Sequence, residues 1–341
     1  MRIAVCAPQV PFIRGGAEIF ADRLVDELRR REHEVDLVTM PFKWYPGVRV
    51  LSQAFLWRLA DLEEADGRPI DCVVATKFPS YVVRHPNKRV WLLHQFRQAY
   101  DLDRTELGQF DESPEGRALR RRVHALDRRA LGEATRLFAT SRNVAARLEG
   151  ALGLRAEVMP HPPQDLPYRC EEYGDFVLSP SRLDRAKRID LLLEAAALDP
   201  RLNVVVTGAG PDRERLEALA RERGLDGRAR FVGMVSAEAL AALYARCLAV
   251  YYAPVDEDFG MGPYEAFLSR KAVVTTPDAG GPLEIVHDGK TGIVTAPEPA
   301  ALAAAFASLR ERRDVAEALG SAGHDLAARV TWDACIDRLL A

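Results

Sequence analysis

Glu257 and Glu265 bracket a glycine-bearing loop, Phe259-Gly260-Met261-Gly262. An apolar run, residues 247–252, comes before the loop, and a helix-like segment, residues 263–269, follows it. Strand, glycine loop and helix in that order offer unpaired backbone N–H groups to an anion such as a phosphate. Carboxylates beside such a loop suit the hydroxyls of a sugar or a ribose. A second group, Arg182 and Lys187, lies in one loop after another apolar run, residues 176–180. Arginine brings a planar fork of donors and lysine a compact charge. Together they suit a diphosphate whose negative charge grows as a bond to it breaks. The plain alternative is solvated loop charge, since Arg185 and Arg188 share that loop and Asp256 and Asp258 flank Glu257.

These groups need elements to hold them, and the chain supplies a repeating pattern. Residues 3–7 are a short apolar run ending at Pro8. The loop with Gly15 and Gly16 comes next, then a helical face with Phe20, Leu24 and Leu28, then an apolar run at 35–40. This opening predicts the βαβ unit of a doubly wound sheet. Gly15 and Gly16 serve either as a tight turn or for close approach of backbone to a ligand. The spacing Gly-x-Gly-x-x-Gly is absent, which argues against a nicotinamide site. Further strands are expected at 72–76 and 90–94. The second ends in His94, where an open α/β sheet binds its ligands. Residues 119–131 form an arginine-rich helix with Arg120, Arg121, Arg122, Arg128 and Arg129. It reads as a solvated face or as a basic surface for an anionic acceptor or a membrane.

Pro160, Pro162, Pro163 and Pro167 then break the pattern and mark a linker. The alternation restarts with strands at 176–180, 204–207 and 229–232 and helices at 189–198, 212–223 and 237–246. Gly208 closes the second of these strands, and Gly233-Met234-Val235 the third. Helices are expected at 299–310, 314–319 and 331–341. The expected layout is therefore α/β, with two doubly wound Rossmann-like domains facing a cleft. The first spans 1–166 with 331–341 packing back on it, and the second spans 167–330.

Bulk composition agrees. The 341 residues are 48% hydrophobic and carry a net charge of −3, with 47 basic and 50 acidic side chains. A core is affordable and a general nucleic-acid binder is disfavoured. The five cysteines lack metal-ligand spacing and read as reduced, buried thiols. Neither a signal peptide nor a membrane span is apparent. A cytoplasmic protein is expected, with peripheral contact at the inner membrane face open to it.

In that order, Gly15-Gly16, His94, Ser181-Arg182-Leu183 with Lys187, Phe231-Val232-Gly233, and Glu257 to Glu265 around Phe259-Gly260 resemble the retaining glycosyltransferases of the GT-B fold, family 4. The resemblance covers nearly the whole chain. It implies transfer of a hexose from a UDP- or GDP-linked sugar to a hydroxyl acceptor, with retention and without a metal or other cofactor. The acceptor would be a saccharide, a lipid-linked or a small molecule, in bacterial-type glycan or glycoconjugate synthesis. Glu265 is similar to the family's ribose-binding residue, and Glu257 to the one that reads sugar hydroxyls. Backbone groups of Phe259, Gly260, Met261 and Gly262 would hold sugar and phosphate. Gly15, Gly16 and Gly208 would line the substrate site. The base would lie along Met234 and Val235, and His94 would touch the sugar near its reacting carbon. Arg182 and Lys187 would clamp the diphosphate. The leaving phosphate would take the acceptor's proton, so neither glutamate serves as nucleophile in the glycosidase manner.

Three other readings compete. Asp256-Glu257-Asp258 contains an Asp-x-Asp string of the kind that holds Mg²⁺ or Mn²⁺ in single-domain GT-A enzymes. A GT-B epimerase or phosphorylase is a second, and a non-catalytic sugar-nucleotide binder is a third.

Overall fold

The computed structural model describes residues 1–13, 15–103, 105 and 108–341. They divide into two compact units, Met1–His161 with Trp332–Ala341, and Pro162–Thr331. The division falls inside the proline cluster, five residues before the expected boundary at 166.

In the first unit the strands are β1 (Arg2–Gln9), β2 (Glu34–Pro41), β5 (Cys72–Ala75), β6 (Lys88–Leu92), β7 (Arg136–Ala139) and β8 (Glu157–Val158). A small antiparallel hairpin, β3 (Glu64–Ala65) and β4 (Arg68–Pro69), stands apart. The main sheet is parallel, in the order β2-β1-β5-β6-β7-β8. Such strands are buried on both faces, which is why they read as continuous apolar runs. The flanking helices are α1 (Gly16–Arg30), α2 (Val50–Leu59), α3 (Pro114–Gly132) and α4 (Arg142–Leu152). Ser113 and Ser141 cap α3 and α4 by accepting the N–H groups of Gly116 and Val144.

The second unit repeats the plan. Its strands are β9 (Phe176–Pro180), β10 (Asn203–Thr207), β11 (Ala229–Gly233), β12 (Ala249–Tyr251), β13 (Ala272–Thr275) and β14 (Gly292–Val294). They form a parallel sheet in the order β11-β10-β9-β12-β13-β14. Around them lie α5 (Ile189–Leu198), α6 (Arg213–Glu222), α7 (Ala237–Arg246), α8 (Met261–Leu268), α9 (Pro299–Glu311) and α10 (Arg313–Ala327).

The last helix, α11 (Trp332–Leu340), belongs to the first unit. Cys335, Ile336 and Leu339 join the core formed by Phe20, Leu24 and Trp91. The Cys335 thiol donates to the Pro160 carbonyl, and the Arg89 guanidinium donates to the Leu339 carbonyl. Each such buried apolar side chain contributes roughly 1.5–3 kcal/mol, so three anchor the segment.

Helices α2 and α10 depart from the expectations. Helix α2 was not expected. Its buried residues Val50, Ala54 and Trp57 alternate with exposed Phe55, Leu56 and Leu59, so no polar face marks a helical period. Helix α10 runs to Ala327, past the expected end at 319. Gly320 and Gly323 resemble breaks in sequence, but here Gly323 lets α10 lie close against α8 and Gly320 lets it lie close against the backbone at Arg270. A Cβ on Gly323 would meet the Phe267 ring at 2.2 Å. Gly323→Ala is therefore expected to lift α10 from α8 and cost about 1–3 kcal/mol. Urea denaturation reads this directly, and an unchanged midpoint would refute the close packing.

Candidate functional site

In an open α/β sheet the strand order reverses at one place, and the loops leaving that place diverge to form a crevice. In the second unit the reversal lies between β9 and β12. The loop after β9 carries Arg182 and Lys187, and the loop after β12 carries Glu257. The Lys187 ammonium forms an ion pair with a Glu257 carboxylate oxygen and lies 5.7 Å from the Tyr252 ring centroid. Burial opposes the charge on Lys187, but Tyr252 and Glu257 outweigh it and push its pKa up. Lys187 is therefore held in its charged form, paired with Glu257.

Arg188 holds these loops in register. Its backbone is left-handed, with φ +48°. Its guanidinium donates to the carbonyls of Ala253 and Pro254 at 2.8 and 2.9 Å, to Thr276 Oγ1 at 2.7 Å, and to both oxygens of Asp278. The Tyr251 hydroxyl donates to the Arg188 carbonyl at 2.7 Å. One side chain thus joins the loops after β9, β12 and β13. In sequence Arg188 was only one cation of a basic loop. Its separation from Asp278 along the chain gave no signal.

The loop bearing Glu257 is further tied to the loop after β13. Glu257 N–H donates to the Ala279 carbonyl and Gly281 N–H to the Glu257 carbonyl, both at 2.8 Å. Gly260 caps α8 with φ +82°, and a Cβ there would meet Tyr252 at 2.9 Å. A Cβ on Gly262 would meet the same ring at 2.7 Å. Both glycines were expected to admit a ligand. In the structure they admit Tyr252, which brings the α8 N-terminus down onto the ring beside Lys187. The Phe259 ring is buried and stacks on Tyr264 with centroids 4.8 Å apart. Met261 opens α8.

Glu265 projects from α8 into the interior and is 5% exposed. Tyr244 Oη donates to it at 2.7 Å. Burial pushes its pKa up, against the phenols of Tyr244 and Tyr168. Tyr244 and Tyr168 were not singled out in sequence, because Tyr244 on an apolar helix face looks like any core residue and Tyr168 lies in the proline-rich linker.

The remaining expected residues of this unit sit on neighbouring loops. Gly208 follows β10, and a Cβ there would lie 2.2 Å from the Ser181 carbonyl oxygen. Its N–H donates to the Gly233 carbonyl at 2.8 Å, which joins the loops after β10 and β11. Met234 is exposed there and Val235 half-buried. The Arg182 side chain is 63% exposed, with Nε 3.8 Å from Asp184.

In the first unit the order reverses between β1 and β5. Gly15 and Gly16 start α1 there, and the Gly15 N–H donates to Glu18 Oε2 at 2.8 Å. The other Glu18 oxygen accepts from Lys77, just after β5, at 2.9 Å. Sequence reasoning missed this pair, because its members lie in different elements. His94 stands two residues beyond β6, with Nδ1 2.6 Å from the Gln95 carbonyl oxygen. The Asp256-Glu257-Asp258 string does not gather as ligands: Glu257 faces Lys187, and no group of three or more acidic, His or Cys side chains suited to a metal occurs among the described residues.

Two doubly wound units, each with a charged pair at its own strand-order reversal, fit the GT-B architecture of the solved structures that the chain overlays. The chain overlays sucrose-phosphate synthase from Thermosynechococcus elongatus with a TM-score of 0.78, at 20% identity, over 99% of this chain and 97% of that one. It overlays Anabaena HepE in complex with UDP and glucose with a TM-score of 0.71, at 20% identity, over 100% and 98%. Residues 169–325, most of the second unit, match the family model described as glycosyl transferases group 1. Among curated relatives, a D-inositol 3-phosphate glycosyltransferase of Corynebacterium jeikeium is 32% identical over 186 residues, 51% of this chain and 43% of that protein. An α-1,3/1,6-mannosyltransferase of Dictyostelium discoideum is 37% identical over 103 residues, 29% and 24% of the two chains. The chain thus spans less than half the length of these relatives.

The raised pKa of Glu265 has a pH consequence. A carboxyl whose folded pKa lies above its unfolded value adds stability that is full below the unfolded pKa and is lost as pH rises through the folded one. Glu265→Gln removes that dependence. Thermal unfolding of the variant and the native chain from pH about 4 upward should show the native chain losing ground to the variant as pH rises. Parallel curves would contradict the burial cost. Arg188→Ala should destabilise the second unit by about 2–5 kcal/mol, since it leaves the buried loop carbonyls without donors. A calorimetric change below ~1 kcal/mol would show that Arg188 does not tie the loops.

Proposed function

We propose that this chain is a retaining glycosyltransferase of the family 4 kind, moving a hexose from a UDP- or GDP-linked sugar to a hydroxyl acceptor. The observation that carries the reading is the Lys187–Glu257 pair at the strand-order reversal of a unit that matches the glycosyl transferases group 1 family. In this reading the second unit binds the donor and the first binds the acceptor. Lys187 and Arg182 neutralise the diphosphate as it departs, which acts on the transition state more than on the bound donor. Glu257 orients Lys187 and reads the sugar hydroxyls, and Glu265 takes the ribose hydroxyls. The base lies along Met234 and Val235, and His94 serves from the acceptor unit. The departing phosphate takes the acceptor's proton on the same face, which keeps the anomeric configuration. No metal is needed, because lysine and arginine supply the countercharge.

The donor is found by thermal shift over a panel of UDP- and GDP-sugars, since a ligand that binds only the folded state raises the melting temperature. Transfer is then followed with and without EDTA, and the product's anomeric configuration is read by NMR. Retention in the presence of EDTA is expected. Loss of activity with EDTA and its rescue by Mn²⁺ would favour the Asp-x-Asp reading, and donor binding without transfer or hydrolysis would favour a binder. Lys187→Ala is expected to lower kcat/KM by about tenfold or more, as for a lost charged hydrogen bond. Native kinetics in that variant would remove Lys187 from the site.

A further inference from the structure

Helix α3 reads in sequence as a basic surface, yet part of its polar side is engaged within the first unit. Arg129 pairs with Glu133, and Arg128 donates to the Leu152 carbonyl. Arg120, His124 and Asp127 are spaced four and three residues apart and so share one face. All three meet residues 97–103, the segment that follows β6 and His94. Arg120 pairs with Asp103. His124 Nε2 lies 2.6 Å from the Ala99 carbonyl oxygen, and its ring stacks on Tyr100 with centroids 4.2 Å apart. The Tyr100 hydroxyl donates to Asp127 Oδ2 at 2.7 Å. Just before the segment, the Gln95 carbonyl oxygen lies 2.6 Å from His94 Nδ1.

Asp127 is a buried acid without a cation. Its side chain is fully buried, and among the described residues Oδ1 has no hydrogen-bond partner. The Tyr81 hydroxyl, from the short helical turn Ser80–Val82, faces the same carboxyl but lies outside hydrogen-bond geometry. Lys88, on β6, directs its ammonium to the carbonyls of Tyr81, Val83 and Ala130 and to Glu133. Burial pushes the pKa of both phenols up, so they stay neutral. Burial pushes the Asp127 pKa up to about 7, against the phenols of Tyr100 and Tyr81. A carboxylate in such surroundings is costly, and access to water relieves the cost.

We propose that Asp127 is a positioning residue: through Tyr100 it holds residues 97–103 against α3, and loss of its proton releases them. An aspartate reached by water titrates near pH ~4, while the buried Asp127 does so at about 7. Between those values the open segment has lost the proton and the closed one has kept it. Opening therefore becomes easier by about tenfold per pH unit across that window and levels off above it. The contact is at full strength in acid and weakest above neutrality. Release of the segment carries Gln95 with it, and with Gln95 the contact to the His94 ring. In the transferase reading, on which this last step rests, His94 is held for the acceptor in acid and loosened as pH rises to neutrality.

The N–H groups of Ala99, Tyr100, Leu102 and Asp103 donate to carbonyls of residues 96, 97 and 100, so their exchange with solvent reports the opening. The experiment is amide hydrogen exchange read by mass spectrometry, each rate divided by that of the unfolded chain at the same pH. Protection of residues 97–103 in the native chain should fall about tenfold per pH unit from pH about 5 to about 7 and then level off. Peptides of β6 should keep theirs. Asp127→Asn retains an oxygen for Tyr100 and cannot ionise, so protection of the segment should stay flat over that range. Tyr100→Phe should lower it at pH about 5, with β6 still protected, which shows that the variant folds. Native protection that does not change with pH overturns the proposal, as does unchanged protection in Tyr100→Phe. A fall that persists in Asp127→Asn overturns it too and assigns the titration to His124. No sugar nucleotide enters the experiment, so its outcome is separate from that of the transfer assay.

Discussion

The Lys187–Glu257 ion pair is the contact on which the site of the second unit depends. Its two residues come from different strands' loops, so the pair forms only if β9 and β12 are neighbours, which is where the strand order reverses. Parallel strands cannot follow one another directly, because each needs a crossover back to the same edge. The reversal is the one place where successive crossovers leave the sheet in opposite directions. A side chain from each loop can then meet in the gap. The first unit has the same construction, with Glu18 and Lys77 meeting between β1 and β5.

Most of the surrounding contacts serve to keep that pair in place. Arg188 satisfies loop carbonyls that would otherwise be buried without donors, and its bonds to Asp278 fix a third loop against the first two. Tyr252 lies under Lys187, and Gly260 and Gly262 leave room for α8 to settle on its ring. Gly323 in turn lets α10 press on α8 from behind. Glu265 is a buried carboxylate held by phenols rather than by a cation. Such a group costs stability in the fold.

The order of elements was legible in the sequence. Buried parallel strands are short apolar runs, and glycines or prolines end them, so the doubly wound layout, the return of the last helix to the first unit and most strand positions could be read directly. Arg182, Lys187, Glu257 and Glu265 could be picked out as candidates too, because charge beside a glycine loop is a local pattern. Helix α2 was not, because Phe55, Leu56 and Leu59 remove the polar face that marks a helix. The end of α10 was misplaced because Gly320 and Gly323 look like breaks when their partners Arg270 and Phe267 are out of view.

What only the tertiary structure decided is which charges meet. Lys187 and Glu257 are 70 residues apart, Arg188 and Asp278 are 90 apart, and Glu18 and Lys77 are 59 apart. Periodicity reports on neighbours within a turn or a strand, while an ion pair depends on distances of a few ångströms through space. The sequence therefore determined the elements and the residue types at their ends. The sheet order brought those ends together, and with them the partners of the catalytic candidates.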